Sequence, residues 1–487
     1  MAGGNWSPTD MPVLPGLYMN FVAAAGAAIQ PGARGIVVAP VKAHWGPVGE
    51  FVEIADEKSI KESFSLDETG GATAYTTLFL ALLGGPKKLL AYRLADSSAA
   101  AAKTTLKDTA DASADCLTLT AKHPGERGND FNVTVQASLV DATKKEMRLY
   151  EGTTLLRTFS IGDGTATAAA AAINEDGDNK WIVAEKVADG TLTDISGGAF
   201  NGGKSGISGI TNSDYIAATE AFEGQEFHVL TLDGIADPAL RASIVAWVKR
   251  VRSEGKGIMA TLGGTAADDK ANDAVAKANT RSAACNHEGV VNVGSGAVLA
   301  GKEYSSAQVA AWAAGLIAGQ SISESTTYAV SPFDDVTRRW TRSEQEQAVR
   351  SGVFLLIHDG RQVKVLRGVS TLATLKEGQN NAWKKIRTIR VLDQINADLQ
   401  RAAEDNYIGK VNNTAEGRLA LIGACKDYMR TMAQSSVIEG TGYDVILDPA
   451  YYGSAPSRKP EPDQVFLQWN ARLTDVMEQI FGTFYVQ

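Results

Sequence analysis

A chain of 487 residues with 44% apolar and 21% charged side chains has the composition of a folded soluble protein, long enough for roughly two to four domains. Its net charge of −9 excludes nucleic acid as the main partner, because phosphate binding calls for a basic surface. Cys116, Cys285 and Cys425 are odd in number, far apart and without a CxxC pair, which excludes a disulfide framework or a zinc site and marks them as small buried hydrophobes.

The first residues show no basic stretch followed by an apolar one, so the expectation is a protein made in a cytoplasm and not exported by the general route. Residues 1–33 read as an extended arm. Pro8, Pro12, Pro15 and Pro31 rule out a long helix, and Leu17, Met19 and Phe21 alternate as in a short strand. Residues 34–41 form a buried strand ended by Pro40. A helix over 73–83 and a strand over 88–94 follow, which is α/β grammar.

The texture then changes. Residues 97–114 have a linker composition, and short strands are expected at 117–121, 131–138, 146–150, 155–161 and 181–186, interrupted by an alanine-rich helix at 166–174. A glycine- and serine-rich run over 196–209 closes this block. Two flexible seams around it suggest a domain inserted into a loop of the first.

The α/β pattern resumes at Asp214. Strands are expected at 227–232, 256–262 and 290–293, with helices at 238–254, 268–278 and 307–318. The last is too short to span a bilayer and is broken by Gly315. Residues 353–358 and 363–369 read as a hairpin turning at Asp359-Gly360. Two amphipathic helices follow, one carrying Ile386, Ile389, Leu392, Ile395 and Leu399 on one face and one over 414–432. Beyond Gly440 come strands: Val465, Leu467, Trp469, Ala471 and Leu473 alternate with polar residues, and residues 480–487 stay apolar and aromatic almost to the last residue. Such a tail needs a sheet to join, in its own domain or in a neighbour.

Catalytic signals are sparse. Gly296-Ala-Val-Leu-Ala-Gly301-Lys302 fits a phosphate loop up to the lysine, but Glu303 stands where a hydroxyl should bind magnesium and would repel phosphate. Asp233, Gly234 and Asp237 follow a buried strand, where ligands often bind in α/β sheets, although a turn and helix cap account for them more simply. His44, His123, His228, His287 and His358 are scattered, without HxH or HExxH. Lys384, Lys385, Arg387 and Arg390 form a basic cluster that opens a helix and offers a surface to an acidic partner. No catalytic, cofactor or metal residues are assigned.

The order of parts, together with several segments, resembles the contractile phage tail sheath proteins. Pro15-Gly16-Leu17-Tyr18-Met19-Asn20-Phe21 resembles their opening arm, and Arg34-Gly35-Ile36-Val37-Val38-Ala39-Pro40 with Trp45-Gly46-Pro47 their first core strand and turn. Leu230-Thr231-Leu232-Asp233-Gly234 resembles the core strand after the insertion. Asn292-Val293-Gly294-Ser295-Gly296, Ala313-Ala314-Gly315-Leu316-Ile317-Ala318-Gly319 and Glu324-Ser325-Thr326-Thr327-Tyr328 resemble the family's longest shared block. Ile386-Arg387-Thr388-Ile389-Arg390-Val391-Leu392-Asp393-Gln394-Ile395 and Tyr407-Ile408-Gly409-Lys410-Val411-Asn412-Asn413 resemble the domain that lies against the tail tube.

The resemblance implies a multidomain α/β fold. An extended arm (1–33) leads into a discontinuous α/β core (34–96 and 210–375). That core carries an inserted β-rich outer domain with flexible seams (97–209). A C-terminal α+β domain next to the tube (376–487) ends in a strand-like arm from about 463. It also implies a structural, non-enzymatic subunit of a virion tail or R-type bacteriocin particle, assembled in the host cytoplasm. Such subunits stack as hexameric rings around an inner tube and shorten on a baseplate signal without nucleotide hydrolysis. Partners would be further copies of the chain, the tube protein, and baseplate and terminator proteins, with no nucleic acid and no membrane insertion.

Both ends are expected to interlock neighbouring subunits, through Pro15, Gly16, Leu17, Tyr18, Met19 and Phe21 at one end and Leu467, Trp469, Leu473, Phe484 and Val486 at the other. The cluster Lys384, Lys385, Arg387 and Arg390 is the candidate tube contact. The alternatives are an α/β enzyme with a ligand near Asp233 and the Gly294–Gly301 loop, and a monomeric carbohydrate- or surface-binding module built on the inserted domain.

Overall fold

The computed structural model describes residues 29, 32, 34–111 and 114–486, together with the backbone of two short strands at 2–4 and 16–18. It divides into two compact units, residues 33–393 and residues 1–32 with 394–487.

The larger unit is organised by a seven-stranded sheet. Its order is Val353–Phe354, Val290–Val293, Met259–Leu262, Val229–Thr231, Ile36–Lys42, Lys88–Leu94 and Phe51–Ile54. All neighbours are parallel except the edge strand Phe51–Ile54. A parallel sheet needs cover on both faces, and the period-two alternation of its strands supplies two apolar surfaces. Val37, Ala39, Leu89, Ala91, Met259 and Val291 point to one core, which includes helices Ala74–Leu83 and Ser306–Gly319. Val38, Leu90, Leu230, Ala260 and Val290 point to the other, under helices Asn212–Glu223 and Pro238–Ser253.

The two helices of the first face meet at small residues: a Cβ on Gly315 would lie 2.1 Å from the Ala81 carbonyl oxygen. Ser305 caps Ser306–Gly319 through a reciprocal pair with Gln308, as S-x-x-Q spacing requires.

Several expectations are corrected. Ile36–Lys42 runs straight through Pro40. Pairing with Val229–Thr231 ends at Val38, so from Pro40 onward the strand has one neighbour and can spare a donor. The single helix expected at 268–278 is two, Ala266–Lys270 and Ala274–Cys285, because Ala271 takes an extended backbone. The hairpin at 353–369 is shorter, Leu356–His358 with Val363–Val365, because Val353–Phe354 leaves to join the main sheet.

The inserted block holds two sheets around one apolar cluster. One orders Thr154–Ser160, Lys145–Glu151, Phe131–Ala137 and Ile195–Ala199; the other orders Ile182–Lys186, Asp115–Ala121 and Lys103–Lys107. Its seams, expected to be flexible, are hydrogen-bonded. Lys103–Lys107 is a strand inside the supposed linker, and the glycine-rich return bridges antiparallel to its first residue at Lys103↔Asn201 and to the segment before it at Ala100↔Lys204. Small side chains allow this close pairing, so the composition that suggested mobility instead serves packing.

The joint between insertion and core is made by two buried groups. Trp45 leaves the core turn and packs edge-on to Phe131 of the insertion, with ring centroids 5.1 Å apart. Arg93, in strand Lys88–Leu94, is fully buried and donates to the carbonyl oxygens of Gly46 (2.6 Å), Pro124 (2.7 Å) and Ser205 (3.0 Å). Burial pushes its guanidinium down to about 10. At Gly125 the chains pass so closely that a Cβ would sit 1.8 Å from the His44 carbonyl oxygen. Arg127 extends the joint, donating to Lys61 O (2.7 Å) and Phe64 O while pairing with Glu151.

In the smaller unit, Gln394 to Asn406 of helix Ile386–Asn406 and helix Ala415–Gln434 contribute Ala402, Tyr428, Met429 and Met432 to the buried side chains. Asp398, itself buried, accepts from the Gly32 amide (2.8 Å), Gln394 Nε2 (2.7 Å) and the Tyr428 hydroxyl (2.8 Å).

Replacing Arg93 by alanine leaves three carbonyls without their donor and opens a cavity. The expected loss is about 3–5 kcal/mol, read from the urea midpoint of the larger unit. A second expectation concerns pH. Burial lowers His123 and His287 to about 4. Between about pH 6.5 and 4 the unfolded chain therefore binds protons there that the folded chain does not, and stability falls as pH drops through that window. Urea midpoints measured across the window check this, and His123→Phe is expected to flatten the dependence.

Candidate assembly segments

The residues singled out at the C-terminal end occupy a minimal sheet. Asp444–Leu447 pairs antiparallel with Leu467–Asn470, placing Val445 opposite Trp469 and Leu447 opposite Leu467. The bridge Ile438↔Leu473 and the Glu439 amide on Arg472 O (2.8 Å) extend the contact. Tyr451 stacks on Phe466 at 3.7 Å, and the Asn413 side chain holds the incoming chain through Pro462 O (2.8 Å) and Gln464 O (3.0 Å). Phe466, the exception to the alternation, is thus placed by a ring contact of its own.

A two-stranded sheet is marginal by itself, and among the described residues no third strand joins either outer edge of this one. Leu467, Trp469 and Leu473 are half-buried. The strand expected at 480–487 does not form: from Asp475 to Val486 there is no helix or strand, and Gln487 lies outside the described residues. Phe481, Phe484 and Val486 are 90%, 89% and 87% exposed, with Met477 and Ile480 similarly open. Among the described residues this segment enters no β-ladder.

At the other end, Gly16–Tyr18 pairs parallel with Ala2–Gly4, matching Gly16 with Ala2, Leu17 with Gly3 and Tyr18 with Gly4. Pro15, Met19 and Phe21 lie outside the described residues.

The basic cluster separates by position. Arg387 is buried and donates to Ser323 O at 3.1 Å. Arg390 donates to Gln320 O and Ser321 O, and burial pushes it down to about 10, with Arg34 adding to the shift. Both side chains are thereby engaged within the core, and only Lys384 and Lys385, half-buried at the turn Asn381–Lys384, remain toward the surface. Helical spacing put four cations together in sequence, but the helix turns two of them inward.

The phosphate-loop candidate is a hairpin. Ala297–Leu299 pairs antiparallel with Lys302–Tyr304 through a turn at Ala300 and Gly301, both with positive φ. Glu303 pairs with Lys270, and Lys302 reaches Glu68 and the Thr76 hydroxyl. Lys302 therefore aims at a carboxylate rather than at a ring of amides. Asp233 is buried and accepts from the hydroxyls of Thr73 (2.8 Å) and Tyr215 (2.8 Å), with Lys42 at 3.6 Å. Asp237 caps Pro238–Ser253 by accepting from the Leu240 amide. Cys116, Cys285 and Cys425 are buried free thiols. Among the described residues no group of His, Cys, Asp and Glu has the geometry of a metal site, and no helix is long and apolar enough to cross a membrane.

These features define a chain whose distinctive surfaces are open strand edges. Three family models match along it: the phage tail sheath protein β-sandwich domain over residues 96–205, the central domain over 208–371 and the C-terminal domain over 378–487. The chain belongs to the phage tail sheath protein family, whose members are structural proteins. It is 28% identical over 421 residues to the uncharacterized protein YqbK of Bacillus subtilis, covering 82% of this chain and 81% of that one. It is also 24% identical over 222 residues to a tail sheath protein of Clostridium phage phiCD119, covering 45% of this chain and 57% of that one. Among solved structures, the sheath tail protein of Desulfitobacterium hafniense superposes with a TM-score of 0.68 at 28% identity, covering 94% of this chain and all of that one. The contracted helical sheath of the anti-feeding prophage shares the fold, with a TM-score of 0.56 at 13% identity over 98% of this chain.

Proposed function

We propose that this protein is the subunit of a contractile tail sheath, polymerising as stacked hexameric rings around an inner tube and shortening on a baseplate signal to drive that tube through a cell envelope. The observation that carries the reading is the sheet of Asp444–Leu447 and Leu467–Asn470, two-stranded among the described residues and followed by a segment that exposes Met477, Ile480, Phe481, Phe484, Tyr485 and Val486. An incoming strand from a neighbour would gain roughly 0.5–1.5 kcal/mol per backbone hydrogen bond. Burying Phe481, Phe484 and Val486 would add about 1.5–3 kcal/mol apiece. Such a link would hold while the larger units rotate past one another.

The remaining roles follow the same reading. The inserted domain lies on the outside of the particle, and Gly16–Tyr18 contributes the second interlock. The tube, baseplate and terminator proteins are the partners, and the particle is a virion tail or an R-type bacteriocin assembled in the host cytoplasm. Shortening draws on energy stored during assembly, not on nucleotide hydrolysis; the hairpin that stands where a phosphate loop would be supports this.

Deleting residues 475–487 is the direct test. Electron microscopy is expected to show no rings or cylinders, and sedimentation a monomer whose melting temperature equals that of the parent monomer. Sheaths formed by the shortened chain would refute the interlock.

A further inference from the structure

The four cations of the sequence cluster do not act together, but two of them have other company. Lys384 and Lys385 line a cleft of about 430 Å³ with Arg350, the last residue of helix Arg342–Arg350, and Arg367. Among the described residues no carboxylate lines it. In a chain of net charge −9 this is a local reversal of sign. Val369 and Leu372 are buried beneath the charges, giving the cleft an apolar floor.

Its walls are fixed by the backbone. Val369 bridges to Lys385, the Ser370 amide donates to Lys384 O (2.8 Å), and the Ile386 amide donates to Gly368 O (3.1 Å). Gly352, at φ +74°, lets the end of the helix pass close by: a Cβ there would lie 2.5 Å from Ser370 O. The cleft is therefore a built feature rather than a gap between loops.

We propose that this cleft docks an acidic, extended peptide segment of a partner protein. Arg350 and Lys384 beside an apolar floor match carboxylates flanking an apolar residue, with the stems packing on the peptide and the heads reaching its charges. The volume exceeds what a compact phosphate fills, and the acidic remainder of the chain opposes a nucleic-acid polyanion. The inference is independent of the sheath reading and of the interlocking ends.

Fluorescence anisotropy with a short labelled peptide alternating glutamate and leucine, added to the full chain, tests it. Binding is expected to weaken at raised salt and to fall about tenfold in Arg350→Glu/Lys384→Glu. Lys384→Gln, which removes one charge without reversing it and spares the fold if the double variant does not, is expected to weaken binding about threefold. Arg342→Glu, on the same helix but outside the cleft, is expected to leave it unchanged. The proposal is overturned if the peptide does not bind, if the cleft variants bind like the parent, or if inorganic phosphate or a DNA duplex displaces the peptide at equal concentration.

Discussion

The buried guanidinium of Arg93 is the contact on which the architecture of the larger unit depends. An arginine inside an apolar strand is costly unless acceptors meet its charge, and here the core turn at Gly46 and two segments of the insertion, at Pro124 and Ser205, converge on its terminal nitrogens. Among the described residues the charge has no carboxylate partner. It is balanced by carbonyl dipoles, so the joint is directional: it forms only when three separate segments are in place. Trp45 adds apolar area to the same junction, and Gly125 permits the approach. An inserted domain that would otherwise hang on an alanine-rich and a glycine-rich segment is thus held within the larger unit.

The smaller unit follows a different logic. Its polar node, Asp398, satisfies three donors within that unit, while its terminal sheet stops at two strands. One part of the molecule is closed by convergence on buried groups; another is left with backbone groups that no described segment of the same chain pairs. A subunit that must keep its neighbours while its core changes contacts benefits from this division, because edge pairing tolerates rotation that side-chain packing does not.

How far the sequence revealed this varied with the physics of each part. Doubly buried parallel strands such as Val37–Val38–Ala39 and Val290–Val291 announce themselves as apolar runs, and the capped helix after Ser305 could be read to within a residue. The seams were misread because glycine, alanine and threonine favour both linkers and tight antiparallel pairing, and only the partner strand decides between them. Residues 480–487 read as a strand in need of a sheet to join, and 480–486 lie in no helix or strand: the apolar pattern signals a strand but does not name the edge it would pair with. Periodicity gathered Lys384, Lys385, Arg387 and Arg390 without their orientation; the cleft residues Arg350 and Arg367 are distant in sequence and carry no spacing signal. Arg93 did have one: a lone cation within Lys88–Leu94, otherwise an apolar strand after its first residue.

The acceptors at the joint have a consequence for how this molecule can vary. Arg93 binds main-chain oxygens of Pro124 and Ser205, and every residue type carries such an oxygen. At Arg93 the insertion is therefore held by its path, while the side chains of Arg127 and Phe131 add contacts of their own. Pro124 and Ser205 can therefore change identity without loosening the seat on which the domain rests, so long as the main chain keeps its course.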